Sequence, residues 1–244
     1  MKISGKTDAG MVREINQDYF AYKTIGMGTL AILCDGMGGT NAGDVASRLA
    51  ADRVIEEAAL NLTESQDFKE IRNQLRSFMG KANREIFELS LSQKQYQGMG
   101  TTAVLVYVLE RRALFMNIGD SRGYLISGET ITRVTSDHSM VEQMVKQGHL
   151  TEEQARIHPN KNIITMALGP EETILPNSYE IALAPGDIVL LCSDGLSNML
   201  SDEAILDIVL KNKTDVGAMT KVLIDSANIS GGQDNITAVV LSLD

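Results

Sequence analysis

The sequence is poor in the residue types that build disulfide frameworks and zinc sites. Its 244 residues include two cysteines, three histidines and no tryptophan. Two cysteines cannot supply the disulfide framework of a small secreted domain, so we expect a reducing, cytoplasmic location. The histidines, at positions 138, 149 and 158, all fall in one polar helical segment. We expect them at the surface or at helix ends, away from the acidic residues at the ends of the predicted strands, so a histidine-rich zinc site is not expected.

Dense basic segments and long apolar runs are also missing. Acidic residues outnumber basic ones by 32 to 22, and the formal net charge is −10. This balance argues against a nucleic-acid partner. The longest strongly apolar run, residues 103–109, has the length of a strand. It is far shorter than the roughly 18 residues of a spanning helix, so no membrane insertion is expected. The first ten residues lack the apolar core of a secretory signal.

The remaining composition is that of a globular protein, with 43% hydrophobic and 22% charged residues. No low-complexity linker or repeat divides it, so residues 1–244 are predicted to form one domain. Strands are predicted at 19–25, 29–34, 101–109, 113–119, 122–127, 130–135, 179–184, 187–193 and 235–243, and helices at 42–60, 67–91, 138–158, 202–211 and 216–228. The short gaps between 101 and 135 exclude parallel crossovers. The pattern predicts an α+β fold with mainly antiparallel sheets between helical layers.

Aspartates stand at the ends of the predicted strands. Asp35 in "AILCDG" and Asp194 in "LLCSDG" each follow an apolar run and precede a glycine. Three further aspartates flank other strands, and these are Asp18, Asp120 and Asp234. A single Asp-Gly pair is commonly a turn and nothing more. Because strand ends along one edge of a sheet can meet, the five residues together predict a shared cluster of carboxylates.

A cluster of carboxylates needs protons or cations to hold it together, because like charges repel and burial makes the repulsion worse. Ligand sets made only of oxygen suit Mg²⁺, Mn²⁺ or Ca²⁺. The glycine after Asp35 would also let a backbone carbonyl approach a metal ion closely. Two cations can lower the pKa of a water molecule and neutralise a phosphoryl group, so hydrolysis needs no protein nucleophile.

Other phosphate and hydrolase motifs fit the sequence less well. Residues 38–43 have the glycine spacing of a P-loop, but Asp44 stands where that motif requires lysine. Thiol phosphatases carry an arginine six residues after the cysteine, where this chain has Thr40 and Asn198. Both cysteines are therefore predicted to pack as small apolar residues. "GDSRG" differs from the dinuclear phosphoesterase motif because Arg122 replaces the histidine ligand.

Five motifs occur in the order seen in the bacterial metal-dependent protein phosphatases of the PPM, or type 2C, family. They are "RxxNQD" (13–18), "DGMGG" (35–39), "GDSR" (119–122), "SDGL" (193–196) and "DNIT" (234–237). The sequence resembles this family along its whole length. The resemblance implies a four-layer α-β-β-α sandwich of two antiparallel sheets flanked by helical pairs. It also implies hydrolysis of phosphoserine and phosphothreonine on proteins by a water molecule that Mn²⁺ or Mg²⁺ activates.

The resemblance also implies roles for individual residues. Asp35 would bridge the two core metal ions, and the carbonyl of Gly36 would bind one of them. Asp194 and Asp234 would complete the other ion's ligands, while Asp18 would act mainly through metal-bound water. Asp35 and Asp194 are thus the predicted catalytic residues.

Two more residues receive roles from the resemblance. Asp120, together with Asp194, would hold a third, weaker metal ion, and Arg13 would grip the substrate phosphate. Three positions depart from the family pattern. Gln17 stands where animal members carry an acid, Met37 where they carry a histidine proposed as general acid, and Met166 where many relatives carry arginine. Methionine cannot donate a proton, so the sequence assigns no general acid.

The segment from about residue 138 to 178 is predicted to form a mobile flap that selects substrates, because it interrupts the β-rich middle of the chain and then loses periodicity. The expected partners are phosphorylated proteins, together with the serine/threonine kinase that modifies them, and the expected state is a monomer. Two alternatives remain open at this point. One is a partner-switching phosphatase of a single regulatory protein, and the other is a non-catalytic relative that only binds partners.

Overall fold

The computed structural model describes residues 1–37, 42–63 and 67–243. In this part of the chain, strands β1 to β11 span Lys2–Asp8, Asp18–Ile25, Gly28–Met37, Gly100–Thr101, Ala103–Leu109, Arg112–Ile118, Arg122–Ser127, Thr130–Arg133, Asn177–Ala182, Ile188–Cys192 and Ile236–Ser242. Helices α1 to α7 span Gly43–Asn61, Phe68–Ser92, Met140–Lys146, Glu152–Ile157, Asp194–Ser197, Asp202–Lys211 and Val216–Ile229. Gly38 and Gly39 of the "DGMGG" motif lie outside the described residues.

The strands form two antiparallel sheets. One has the order β2-β3-β5-β6-β9, with β4 paired to β3, and the other has the order β1-β11-β10-β7-β8. Every strand pair in both described sheets is antiparallel. The short connections between 101 and 135 predicted this arrangement, and the prediction is confirmed.

Alternating side chains make each sheet apolar on both faces. In β3, Leu30 and Ile32 pack towards α1 and α2, whereas Ala31 and Leu33 pack into the space between the sheets. Successive residues of a strand point to opposite faces, so one strand serves two cores. The second sheet repeats the pattern, with Val189 in the inter-sheet core. The result is a four-layer α-β-β-α sandwich, as predicted.

Two pairs of helices form the outer layers. Helices α1 and α2 pack on the first sheet, and α6 and α7 pack on the second. Helix α2 lies within the helix predicted at 67–91 apart from its last residue, and it begins after Asp67, whose side chain accepts a hydrogen bond from the backbone N–H of Glu70. Among the described helices, none has both the length and the apolar character needed to cross a membrane.

The sequence analysis missed strand β1 and the short helix α5. Strand β1 lacks apolar alternation because most of its side chains are polar, yet it pairs with β11 along its whole length. A Cβ on Gly5 would collide with the ring of Phe20, so the glycine lets the two sheets approach at this point. The segment 138–158, which was predicted to be helical, forms two short helices, α3 and α4.

The ends of the segment from 138 to 178 lie beside the sheets. Ser139 bridges to Ile164, and the backbone N–H of Thr165 donates to the His138 carbonyl oxygen over 2.8 Å. Leu168 then pairs with Thr101 of β4 through two backbone hydrogen bonds of 2.8 and 3.0 Å. Helices α3 and α4 thus lie in a segment that starts beside Gly119, after β6, and returns to the first sheet next to β4.

Candidate active site

Asp18 and Asp35 are cross-strand partners in the first sheet. Asp18 is the first residue of β2 and is buried, whereas Asp35 lies inside β3. The prediction that Asp35 ends its strand is wrong, because β3 continues to Met37 and pairs there with β4. Directly opposed like charges destabilise a sheet, so this pairing calls for a compensating group.

The second sheet brings Asp194 and Asp234 to the same edge. Asp194 is the first residue of α5, two positions after β10 ends, and Asp234 stands two positions before β11. Asp120 follows β6 after a turn in which Gly119 has a φ of +97°. The five aspartates predicted from the sequence therefore come from both sheets, at strand termini or within a strand.

Backbone crowding explains the glycine that follows Asp35 and the one that follows Asp194. A Cβ on Gly195 would collide with the carbonyl oxygen of Asn235. A Cβ on Gly36 would collide with the carbonyl oxygens of Gly43 and Gln17. These close approaches require glycine for packing alone, which is a reason that the sequence did not suggest.

A cavity of about 570 Å³ opens at this edge of the sandwich. Its lining includes six of the seven residues to which the sequence analysis assigned a role in the site, namely Arg13, Asp35, Gly36, Asp120, Asp194 and Asp234. Asp18 lies outside the lining, where hydroxyl groups from the second sheet hold it. Among the predicted site residues, Asp18 is therefore the one that lies behind the cavity wall instead of lining the cavity.

Burial raises the pKa of Asp18 to about 7. The negative charges of Asp194 and Asp234 raise this pKa further, and hydrogen bonds from Thr237 and Ser193 partly offset the increase. Both hydroxyls donate to the same oxygen of Asp18, Oδ2, over 2.7 Å. Deprotonating this carboxyl therefore costs free energy unless a positive charge is present.

Three of the other carboxylates have raised pKa values for the same reasons. Burial is the main cause that raises the pKa of Asp35, and the charges of Asp18 and Asp194 come next. Burial followed by Asp194 raises the pKa of Asp120, and burial followed by Asp234 raises the pKa of Asp194. These shared electrostatic causes link all five aspartates, and each would be relieved by a cation.

The donor set fits a hydrated divalent cation. Oδ1 of Asp18 is buried and has no hydrogen-bond partner among the described residues, so one lone-pair donor is left over. The candidate ligands are carboxylates and one carbonyl, which are the oxygen donors that Mg²⁺ and Mn²⁺ accept. Within the described ranges, no three acidic, histidine or cysteine side chains lie close enough together to hold a metal ion by themselves. Water would therefore have to complete the coordination, as is usual for Mg²⁺.

Arg13 points its guanidinium group at one of the candidate metal ligands. Its Nη2 donates to Oδ2 of Asp234 over 2.9 Å, and the two side chains are 56% and 36% exposed. The sequence predicted a phosphate-binding role for Arg13 but not this pairing. An exposed ion pair of this kind is weak, so Arg13 can exchange Asp234 for another anion.

Asn235 closes the loop that carries Arg13, and sequence reasoning missed it. Its Nδ2 donates to the carbonyl oxygens of Ala9 and Ile15 over 3.0 Å each, and its Oδ1 accepts from the N–H of Gln17 over 2.8 Å. This buried amide thus fixes both ends of the loop. Its place next to Asp234 in "DNIT" is the signal that could have identified it.

Threonine hydroxyls hold Asp35 in the same way. The Oγ1 of Thr102 accepts from the backbone N–H of Asp35 over 3.1 Å, and the Oγ1 of Thr101 donates to its carbonyl oxygen over 2.9 Å. Thr102 also shares a 2.7 Å hydrogen bond with Ser121, next to Asp120. The hydroxyl groups around the acids were not predicted, because "TT" within an apolar strand carries no distinctive signal.

The expectation that the histidines lie away from the acids is wrong for His138. Its Nδ1 accepts from the N–H of Gly119 over 3.0 Å, and its own N–H donates to the Gly119 carbonyl over 2.9 Å. Burial lowers the pKa of His138, which favours the neutral ring that this acceptor role requires. His138 therefore fixes the turn before Asp120, because the chain folds back across the end of β6.

A neighbouring cavity of about 310 Å³ shares Asp120 and Asp194 with the first. Arg122 lines it and donates to Asp137 through Nη2 over 2.7 Å and through Nε over 3.0 Å. Lys161 reaches across from the segment after α4 to Oδ1 of Asn198 over 3.4 Å. Charged side chains thus surround Asp120 and Asp194 on this side.

Comparison with known proteins agrees with the fold and the motifs. A profile of the protein phosphatase 2C family matches residues 11–230. The chain is 40% identical to protein phosphatase PhpP of Streptococcus pneumoniae over 245 aligned residues, which cover 100% of this chain and 98% of PhpP. It is 36% identical to the solved S. agalactiae serine/threonine phosphatase, with a TM-score of 0.93 over 100% and 99% of the two chains.

A further similar structure is the catalytic domain of the serine/threonine protein phosphatase PstP in complex with two manganese ions. It is 31% identical, with a TM-score of 0.86 over 100% of this chain and 98% of that chain. The matched profile covers most of the chain, and the relatives align from end to end. The chain therefore belongs to the protein phosphatase 2C family, and its enzyme class is that of a serine/threonine protein phosphatase.

Proposed function

We propose that the chain hydrolyses phosphoserine and phosphothreonine on proteins at the cavity between its two sheets, with Mn²⁺ or Mg²⁺ bound there. The observation that carries the proposal is that Arg13 lines the same cavity as Asp35, Asp120, Asp194 and Asp234. Oxygen ligands for cations and a guanidinium group both act on the negative charge of a phosphate ester. Their presence in one cavity supports phosphoryl chemistry.

Five residues would hold the two core metal ions. They are Asp35, the carbonyl of Gly36, Asp194 and Asp234 as ligands, with Asp18 acting through water. The unpaired Oδ1 of Asp18 and the raised pKa values of the acids support this assignment. Divalent cations at such a site lower the pKa of water and neutralise phosphoryl oxygens. Asp120 and Asp194 would hold a third, weaker ion, and their shared place in both cavities supports that role.

The protein's own groups bind and orient the substrate. Arg13 would leave Asp234 and donate to phosphoryl oxygens, which frees Asp234 for cation binding. Asn235 would keep the Arg13 loop in place during this exchange. Met37 lines the cavity but cannot donate a proton. The leaving oxygen would therefore take its proton from water or from another group.

The proposed partners are phosphoproteins made by a serine/threonine kinase, because such esters arise from kinase action. Cys34 and Cys192 are free and buried, which supports a reducing, cytoplasmic setting. A formal net charge of −10 supports a monomer, since mutual repulsion keeps chains apart. The segment 138–178 is proposed as a flap that selects among substrates.

The flap proposal has its own test. Met166 packs on the core between the first sheet and its helices, so it is poorly placed to contact a protein substrate directly. The test therefore uses substitutions across 155–165 instead of Met166. If the flap selects substrates, these substitutions should alter phosphoprotein turnover more than p-nitrophenyl phosphate turnover. Asp120→Ala, which removes a proposed metal ligand, should depress both substrates. Equal effects of the flap changes on both substrates would remove the selectivity role.

The proposed function is tested with matched peptides that carry phosphoserine, phosphothreonine or phosphotyrosine, assayed with Mn²⁺. The first two should be hydrolysed, and Asp194→Asn should abolish the turnover. Asp207→Asn is the matched control, because Asp207 is 58% exposed on α6 and pairs only with Lys211 among the described salt bridges. The proposal fails if phosphotyrosine alone is hydrolysed or if Asp194→Asn retains full activity.

A further inference from the structure

We propose that the cavity selects phosphoproteins in which an apolar residue stands directly beside the phosphorylated serine or threonine. The inference rests on the proposed phosphatase function and names the class of sequence that the site takes. It starts from an apolar rim, which we define as Val12, Ile15, Met37 and Ile164. All four residues line the cavity that contains the carboxylates and Arg13.

The cavity is much larger than a phosphoryl group. Sites of about 300–1,000 Å³ bury ligands of drug size, and this cavity measures about 570 Å³. Arg13 and the carboxylates use only the polar part of its lining. The space beside the apolar rim is therefore left for the side chains that flank the phosphorylated residue.

Two members of the apolar rim bracket the phosphate-binding residue in sequence and are open to solvent. Val12 is 66% exposed and Ile15 is 44% exposed. Ile164 lines the cavity from another segment of the chain and is half-buried. Scattered exposed apolar residues are ordinary, but a group of them around one cavity marks a binding surface. The apolar rim is continuous with the proposed phosphate site, so the group that binds there is the polypeptide that carries the phosphate.

The loop that displays Val12 and Ile15 is fixed. The N–H of Met11 donates to the Gly232 carbonyl over 2.7 Å, and Asn235 holds the carbonyls of Ala9 and Ile15. These bonds fix the backbone of the loop on both sides of Val12. A surface that is already ordered loses little conformational entropy on binding, which favours recognition through apolar contacts.

Charge in the cavity acts against the other classes of flanking residue. Glu14 lies in the lining together with the aspartates, so an acidic neighbour of the phosphorylated residue is repelled. A basic neighbour could pair with Glu14 but would leave the apolar rim in water. An apolar neighbour covers the rim and avoids both penalties.

The test compares phosphothreonine peptides that differ only at the residue before or after the phosphothreonine, where leucine, serine or lysine is placed. With Mn²⁺, the wild-type protein should show a kcat/KM about tenfold higher for a leucine peptide than for the matched serine peptide. The wild-type comparison needs no variant. Equal values, or a higher value for lysine, would overturn the inference while leaving the phosphatase function intact. If no phosphothreonine peptide is hydrolysed at all, the proposed function fails first and the inference with it.

Variants then locate the preference. Val12→Thr and Ile15→Thr keep the branched shape but replace apolar groups by hydroxyls, and each should reduce the leucine-to-serine ratio severalfold. Leu60→Ser is the matched control, because Leu60 is 82% exposed at the end of α1, away from the cavity lining. It should keep the wild-type ratio. A ratio that survives in both threonine variants would remove the rim from the account.

Discussion

Arg13 donates a 2.9 Å hydrogen bond to Asp234, so the residue proposed to bind phosphate is held by a residue proposed to bind metal. Both side chains are partly open to solvent. Exposed ion pairs contribute about 0–1 kcal/mol, so this contact does little for stability. Its expected consequence is functional, because a phosphate would bind Arg13 and a cation would bind Asp234.

Replacing Arg13 should weaken phosphate binding and leave cation binding intact. Arg13→Ala is expected to raise KM and to lower kcat/KM by severalfold to about a hundredfold, because a charged hydrogen bond contributes about 1–3 kcal/mol. Inhibition by inorganic phosphate measures the effect directly. Arg13→Lys is the matched control, since it keeps the charge but loses the bidentate contact. Phosphate should inhibit it less strongly than wild type and more strongly than Arg13→Ala. Equal phosphate inhibition in Arg13→Ala and wild type would contradict the assigned role.

Removing the amide of Asn235 should both destabilise the protein and raise KM. Asn235→Ala leaves the carbonyls of Ala9 and Ile15 without their donor, which costs about 1–3 kcal/mol. Urea unfolding measures the free-energy loss, and steady-state kinetics measure KM. The KM should rise because the loop then no longer holds Arg13 in one place.

A core variant separates positioning from simple loss of stability. Val209→Ala removes a buried side chain of α6, away from the loop, and should cost a comparable amount of about 1–3 kcal/mol. Its KM should stay at the wild-type value. If Asn235→Ala and Val209→Ala change KM alike, Asn235 has no positioning role beyond its contribution to folding.

The chelated protein should become less stable as the pH rises from about 5 to 8. The pKa of Asp18 is about 7 in the folded chain and about 3.9 in an unfolded one. The stabilisation linked to a raised pKa is complete below the unfolded value and is lost as the pH rises through the folded value. For this one group the slope approaches about 1.4 kcal/mol per pH unit. Denaturant unfolding across this pH range in EDTA measures it.

Asp18→Asn should reduce the slope of that pH dependence by the share of this one group, because Asp35, Asp120 and Asp194 keep their own raised pKa values. Asp207→Asn should leave the slope unchanged. Asparagine keeps the shape of the side chain but removes the titrating group, whereas Asp207 is an exposed residue of α6. Added Mn²⁺ should restore the stability of the wild type at pH 8, because a cation replaces the lost protons. A stability that increases between pH 5 and 8 in the chelated wild type would count against the carboxylate cluster.

Two glycines should respond in opposite ways to the same substitution. Gly195→Ala forces a Cβ against the Asn235 carbonyl and should cost about 1–3 kcal/mol. Gly80→Ala places a Cβ in open space inside α2 and should stabilise the protein by up to about 1 kcal/mol. Thermal or urea unfolding of both variants checks the pair. Stabilisation by Gly195→Ala would show that the close approach is not tight.

Apolar periodicity and short turns were enough to predict most of the fold. The continuous apolar runs of β5 and β10 and the capped start of α2 left little ambiguity. Strand β1 was missed because its polar residues are held by pairing with β11, a partner more than 200 positions away. Contacts of that kind leave no trace in a local pattern.

The candidate site was also predicted only in part from the sequence. Aspartates beside glycines can be identified from the sequence, so Asp35 and Asp194 were predicted as site residues, and both line the cavity. The groups that hold the site could not be found, because Asn235 and Thr102 act through backbone atoms of distant segments. His138 was misplaced for the same reason, since its contact with Gly119 depends on how the chain folds back after β8.

The central claim is that cations held by the carboxylates of both sheets are required for hydrolysis. The most direct measurement is the turnover of a phosphothreonine peptide after chelation, followed by titration with Mn²⁺. The account predicts no turnover in the chelated protein, full recovery with Mn²⁺, and no recovery in Asp35→Asn at any Mn²⁺ concentration. Sustained turnover in the chelated, metal-free protein, or normal recovery of Asp35→Asn, would contradict it.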